Sequence, residues 1–158
     1  MSKGSLITEL NQEHRSILEL VQGFGKNDFD QAGASGEWTA KDLFGHIAFW
    51  NCEAARAITL AARNERPAPW IDGNVEEINR REMQARQAQT LYKVMDEFRT
   101  SQQAVVSALE RSTDAQLERQ VDFKSDDGQM ANAAWVAEAL LGHNRGHREA
   151  LQAWLAKN

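Results

Sequence analysis

Gly36-Glu37-Trp38-Thr39-Ala40-Lys41-Asp42-Leu43-Phe44-Gly45-His46-Ile47-Ala48-Phe49-Trp50 is the stretch on which the fold turns. Thr39 can cap a helix, and Asp42, three residues on, stands where a capping box places its acid. Trp38 precedes the cap and Leu43 takes the fourth helical position, the arrangement of a hydrophobic staple. From there Leu43, Ile47, Trp50, Ala54, Ile58 and Ala61 recur at three- and four-residue steps. That is one face of a helix, and it runs to about Asn64.

The same periodicity extends on both sides. Upstream, Leu10, His14, Ile17 and Val21 predict a helix over about 5–22, which Gly23 and Gly25 release. Downstream, Pro67-Ala68-Pro69-Trp70-Ile71-Asp72-Gly73 is a loop by composition. Asn74 with Glu77 then opens a helical stretch over about 75–112, longer than its neighbours. A break is expected near Gln89 and Thr90, giving helices of about 75–88 and 90–111. Thr113 to Gln116 reads as a capped turn and Ser125-Asp126-Asp127-Gly128 as a turn. The last helix spans about 131–156, with Val136, Leu140, Leu151 and Trp154 inward. Residues 119–124 alternate weakly, too few to change the class. Helices joined by short loops, with no convincing strand, predict an all-α bundle forming a single domain over 1–158.

Composition narrows the function. The 158 residues are 42% apolar, enough for a core, and the only prolines are Pro67 and Pro69. Net charge is −5, and Arg80-Arg81 is followed at once by Glu82, a solvated face rather than a phosphate track. Nucleic acid is not an expected partner. Cys52 is the lone cysteine, which fits a reducing cytoplasm. Met1 to Ser5 lead straight into Leu6-Ile7-Thr8-Glu9 with no signal-peptide core, and no run approaches the ~20 apolar residues of a membrane span. No membrane partner is expected.

The chemistry lies in four histidines, His14, His46, His143 and His147. At about 100° per residue, all four fall within a core-facing arc of about 120°. His143 and His147 are one turn apart, about 6 Å along the axis, a separation one metal ion can span. A third imidazole from a facing helix would complete a three-nitrogen face with positions left open. Buried imidazoles without partners are costly, and a divalent cation removes that cost by taking their lone pairs. A single inward histidine is more often hydrogen-bonded to a protein neighbour, however, and the third imidazole counts only if the second and last helices face each other. In His143-Asn144-Arg145-Gly146-His147, Asn occupies the position of the zinc-protease glutamate, so a zincin lacks its general base.

The opening stretch, with its Trp, hydroxyl cap, acid, apolar pair and histidine, resembles the second helix of DinB-like proteins. Leu141-Gly142-His143-Asn144-Arg145-Gly146-His147 is similar to the last-helix His-x-x-x-His motif of that superfamily. Val75-Glu76-Glu77-Ile78-Asn79 and Thr90-Leu91-Tyr92-Lys93-Val94 resemble its ClbS- and DfsB-related branch. The resemblance covers nearly the whole chain and implies an up-down-down-up four-helix bundle, often a homodimer. It also implies a metal site of one histidine from the second helix and two from the last, here His46, His143 and His147. Members are described as metal-dependent hydrolases, some relatives use low-molecular-weight thiols in isomerase or transferase reactions, and some of the ClbS-like branch lack the histidines and protect against a toxin. This chain keeps all three. His14 has no counterpart and reads as a core or supporting histidine.

The expected function is therefore a metal-dependent enzyme, of hydrolase or thiol-dependent transferase or isomerase type, acting on a small molecule. Its ion would lower the pKa of a bound water or thiol. Zinc or nickel suits the nitrogen-rich set best, with iron or manganese possible. The alternative is a non-catalytic module that binds or sequesters a small ligand, its metal structural or absent, for which the five tryptophans are suggestive. Glu53, two turns beyond His46, could orient it but reads more simply as a surface ion pair; Cys52 reads as packing. Gly142 and Gly146 offer a close helix approach or a plain loss of helix propensity.

Overall fold

The Thr39 hydroxyl accepts the Asp42 N–H at 3.1 Å and the Asp42 carboxylate accepts the Thr39 N–H at 3.0 Å, so the capping box forms as the sequence predicts. The computed structural model describes residues 1–66, 74–121 and 131–158. The proline loop with Trp70 and the turn at Ser125 to Gly128 lie outside the described residues, as do the last three positions of the 119–124 alternation. In chain order the elements are α1 (Lys3–Leu20), α2 (Lys26–Phe29), β1 (Ala32–Ser35), β2 (Trp38–Thr39), α3 (Ala40–Ala62), α4 (Val75–Arg86), α5 (Leu91–Glu110), α6 (Asp114–Glu118) and α7 (Ala133–Lys157).

The expected break is real. α4 ends at Arg86, and Thr90 caps α5 by accepting the Lys93 N–H at 3.2 Å. The capped turn at Thr113 forms as well, as the short helix α6. The sequence showed no strand, but β1 and β2 pair antiparallel with a bulge between the pairs Ala32–Thr39 and Ser35–Trp38. So short a ribbon has no period to read. Gly36 makes its turn at φ +61°.

Long-range contacts fix the helix directions. α1 and α7 run parallel, joined by the Met1 amino group to Glu138, Glu9 to Arg145, and Glu13 to Arg148. α1 and α5 run antiparallel, since Lys3 donates to the Ser112 carbonyl while Gln102 donates to Asn11. α3 runs parallel to α5, with Gly45 beside Val94 and Asn51 beside Ser101. Against α7, α3 is antiparallel: His46 meets His147 and His143, and Asn51 meets Asn144. The four long helices thus follow the up-down-down-up course. The fold is all-α.

The core falls into two clusters. One gathers Leu6, Leu10, Ile58, Leu109 and Val136; the other gathers Ile17, Leu43, Phe44, Phe98 and Leu151. On α3 the second cluster's residues run from Ala40 to Ala48 and the first cluster's begin at Ala54, so buried Asn51 lies between them. At Gly45, among the second cluster's residues, a Cβ would lie 2.8 Å from the Arg86 side chain that pins α4 to α5 through Glu97, so that side chain would have to shift. Among the described residues no helix is long and apolar enough to cross a membrane.

Candidate metal centre

α3 and α7 do face each other, which the sequence left open, and their packing brings three imidazoles to one point. His143 is the middle ring. Its Nε2 lies 3.0 Å from Nε2 of His46 and 3.1 Å from Nε2 of His147. One candidate ligand atom from each residue lies within 4.8 Å of those of the other two. Nitrogens bound to one ion at about 2.1 Å, with angles between octahedral and tetrahedral, are themselves about 3.0–3.4 Å apart. The two separations from His143 match those of ligands on a shared ion, and the donor set is all imidazole.

The electrostatics agree with the spacing. Burial, then the charges of His147, His143 and Arg86, push the His46 pKa down to about 2. Burial, then His143, lowers His147 to about 4. His143 is lowered by burial against an opposing hydrogen bond to Asn144. All three shifts disfavour the charged ring, and the neutral imidazole is the form that binds a metal.

Trp38 lies beside His46, ring centroids 4.7 Å apart, held there by the β-ribbon turn. A cavity of about 630 Å³ opens next to the histidines, within the usual range for a small-molecule site. Trp38, Trp50, Val136 and Leu140 supply its apolar wall, and Ser35 and Asn79 its polar atoms. Asn79 also accepts the Trp50 indole N–H at 2.8 Å, which ties α4 to the cavity wall. No Asp, Glu, Lys or Arg is among the described residues lining it.

The other singled-out residues lie elsewhere. His14 stacks on Phe98 at 4.3 Å, with its pKa lowered to about 4 by burial and then by Arg99. Glu53 pairs with Arg56 at 2.7 Å, the surface ion pair expected. Cys52 does not pack as expected but is exposed, because the inward side of this turn goes to Asn51 and Ala54. At Gly142 and Gly146 a Cβ would meet nothing within 4 Å among the described residues, so neither serves a close approach to them; Gly33, whose Cβ would strike Trp154 at 2.9 Å, does. Sequence reasoning missed Asn51, Ser101 and Asn144, all buried. The signal was present: Asn51 and Asn144 are polar residues in the register of apolar stripes, after Ile47 and Leu141 respectively.

The chain resembles known proteins in sequence and in fold. A family model described as the DinB superfamily matches residues 9–151. No curated protein matches it in sequence. The crystal structure of a mycothiol-dependent maleylpyruvate isomerase superposes with TM-score 0.81 at 12% identity, covering 96% of this chain and 61% of that one. A point mutant of that isomerase gives TM-score 0.80 with the same identity and coverage. A DinB-like protein from Bacillus subtilis gives TM-score 0.64 at 18% identity, covering 97% and 91%. This chain thus spans about three-fifths of the isomerase's length and nearly all of the DinB-like protein's. The family match over almost the entire bundle, with the same fold recurring in those structures, makes this protein a member of the DinB superfamily.

Proposed function

We propose that His46, His143 and His147 hold one divalent transition-metal ion, zinc or nickel first, and that the protein is a metal-dependent enzyme acting on a small molecule in the adjoining cavity. The observation that carries the reading is the convergence of three neutral imidazole nitrogens at 3.0 and 3.1 Å beside that cavity. Bound there, such an ion supplies Lewis-acid polarisation and lowers the pKa of an oxygen or sulfur group brought to it. The chain's own residues do the rest. Trp38 shields one side of His46, while Trp50, Val136 and Leu140 offer apolar surface to the ligand body. Ser35 and Asn79 orient its polar groups. An uncharged or weakly charged ligand suits this wall best, since an unpaired charge on it would go unanswered.

The likeness to the mycothiol-dependent isomerase supports the thiol-dependent transferase or isomerase type over hydrolysis. A homodimer in the cytoplasm belongs to the same proposal, supported by the family resemblance and the single cysteine. The apolar wall also favours a second reading, a binding or sequestering module.

Elemental analysis of protein purified without a nickel column, before and after reconstitution, tests the centre. About one equivalent of metal is expected; below about a tenth of an equivalent, with no gain on reconstitution, overturns it. Tryptophan-fluorescence titration against small thiols and electrophiles, with and without chelator, separates the two readings. Binding that ignores both the chelator and His46→Ala favours the module.

A further inference from the structure

The three imidazoles differ in what holds them. His143 Nδ1 lies 3.0 Å from Asn144 Oδ1, and from Asn144 a line of hydrogen bonds crosses the bundle. Asn144 Nδ2 donates to Asn51 Oδ1 at 3.1 Å, and Asn51 Nδ2 to Ser101 Oγ at 3.2 Å. Ser101 Oγ lies 2.9 Å from the Phe98 carbonyl. The line joins α7, α3 and α5, and its members are 5%, 1% and 1% exposed in the order Asn144, Asn51, Ser101. Three polar side chains at core positions are costly unless their partners are complete, so each has a strong reason to keep its place.

The direction of the line is set at its far end. A carbonyl oxygen only accepts, so Ser101 must spend its proton on Phe98 and has only lone pairs left for Asn51. Asn51 must then present its NH₂ to Ser101 and its oxygen to Asn144. Asn144 must present its NH₂ to Asn51 and its oxygen to His143. An amide oxygen needs a donor, so His143 carries its hydrogen on Nδ1. Its Nε2, the nitrogen facing His46 and His147, is left with the lone pair.

We infer that Asn144, Asn51 and Ser101 are positioning residues for the metal centre, a hydrogen-bond relay anchored on the Phe98 carbonyl that fixes the tautomer and ring orientation of His143. The positioning role rests on the reading that the trio holds a metal; the tautomer does not. The asparagine that rules out a zincin thus has a task of its own, turning the neighbouring ring into a ligand. Partners of this kind behind a ligating histidine are worth about 10–100-fold in metal affinity.

Long-range ¹H–¹⁵N correlation spectra of the metal-free protein read the tautomer of each histidine directly, and zinc titration against a chromophoric chelator reads affinity. In the wild type, His143 is expected to be protonated on Nδ1 only. Asn144→Leu removes the acceptor; the ring should then populate both tautomers and zinc affinity should fall about 10–100-fold. Asn144→Asp breaks the bond to Asn51 as Leu does but still accepts from Nδ1, so it should keep the tautomer and most of the affinity. A purely structural role would weaken both variants alike. Ser101→Ala is the milder cut should Asn144→Leu fold poorly, and should loosen the same tautomer without touching His143. Wild-type His143 protonated on Nε2, or unchanged tautomer and affinity in Asn144→Leu, would overturn the relay. A wild type with Nδ1–H on His143 that binds no zinc would overturn the metal reading and the positioning role together, leaving the hydrogen bonds as architecture.

Discussion

Helix α3 meets two parts of the bundle and treats them differently. Toward α5 it offers Phe44, which sits edge-on to Phe98 at 4.7 Å, and Gly45, whose missing side chain admits Arg86 beside Val94. Toward α7, one turn away, it offers His46 and Asn51, and the seam holds imidazoles, amides and an open cavity. The α5 seam is closely packed and apolar around Phe44 and Phe98, with the Asn51–Ser101 bond as its polar contact; the α7 seam opens beside the cavity where the nitrogens converge. The contrast teaches that the site borrows its rigidity. α3 is clamped by packing on one side, which holds His46 still on the other, and the Asn51–Ser101 bond passes that rigidity across to α7.

The contrast can be broken most sharply by cutting each seam at its centre. Phe98→Ala, on the α5 side, should cost about 3–5 kcal/mol, read from urea unfolding of metal-free protein. His143→Ala, on the α7 side, should cost no more than about 1–2 kcal/mol in the same measurement yet weaken zinc binding by about 100-fold or more. Equal stability losses would mean that the two seams do the same job.

A smaller effect separates the histidine on the packed side from the three at the cavity. His14 stacks on Phe98 with its pKa held at about 4, below the ordinary 6.5. Above about pH 6.5 neither the folded nor the unfolded chain protonates it. As pH falls from 6.5 toward 4, the unfolded chain takes a proton that the folded one refuses, so stability drops, and below about 4 the loss levels off. Discounted for solvent access, the change is about 1–2 kcal/mol. His14→Phe keeps a ring on Phe98 and should flatten that part of the acid profile without altering zinc affinity. A matching loss of zinc affinity would place His14 in the site's support. The smallest expected change is a gain: Gly146→Ala, in helical and open surroundings, should stabilise α7 by about 0.5–1 kcal/mol in thermal melts. A loss would show that the α7 seam needs the flexibility this glycine gives.

Much of this was legible in the chain. The Thr39–Asp42 box, the break before Leu91 and the caps at Asn74 and Thr113 are local, and each forms where its residues predict, because a cap needs only partners three residues away. The candidate ligands were legible for a mixed reason. The i,i+4 spacing of His143 and His147 is a property of one helix, whereas periodicity put His46 only on a core-facing arc and resemblance to a family joined it to the pair. The ribbon of β1 and β2 was not legible, since four residues against two carry no period. Cys52 was misread because periodicity puts it off the apolar stripe but does not say whether a neighbouring element reaches it there.

What the sequence determined by itself was the helices, their ends and which faces are apolar, since these depend on hydrogen bonds and contacts within a few residues. What only the tertiary structure decided was which faces meet: that α3 lies against α7 with His46 opposite His143, that Trp38 comes round beside it, and that three buried polar side chains on three helices join into one line. The physical reason is range. A helix is closed by bonds four residues long, whereas the convergence of residues 46, 143 and 147 depends on the packing of every side chain between the helices that carry them.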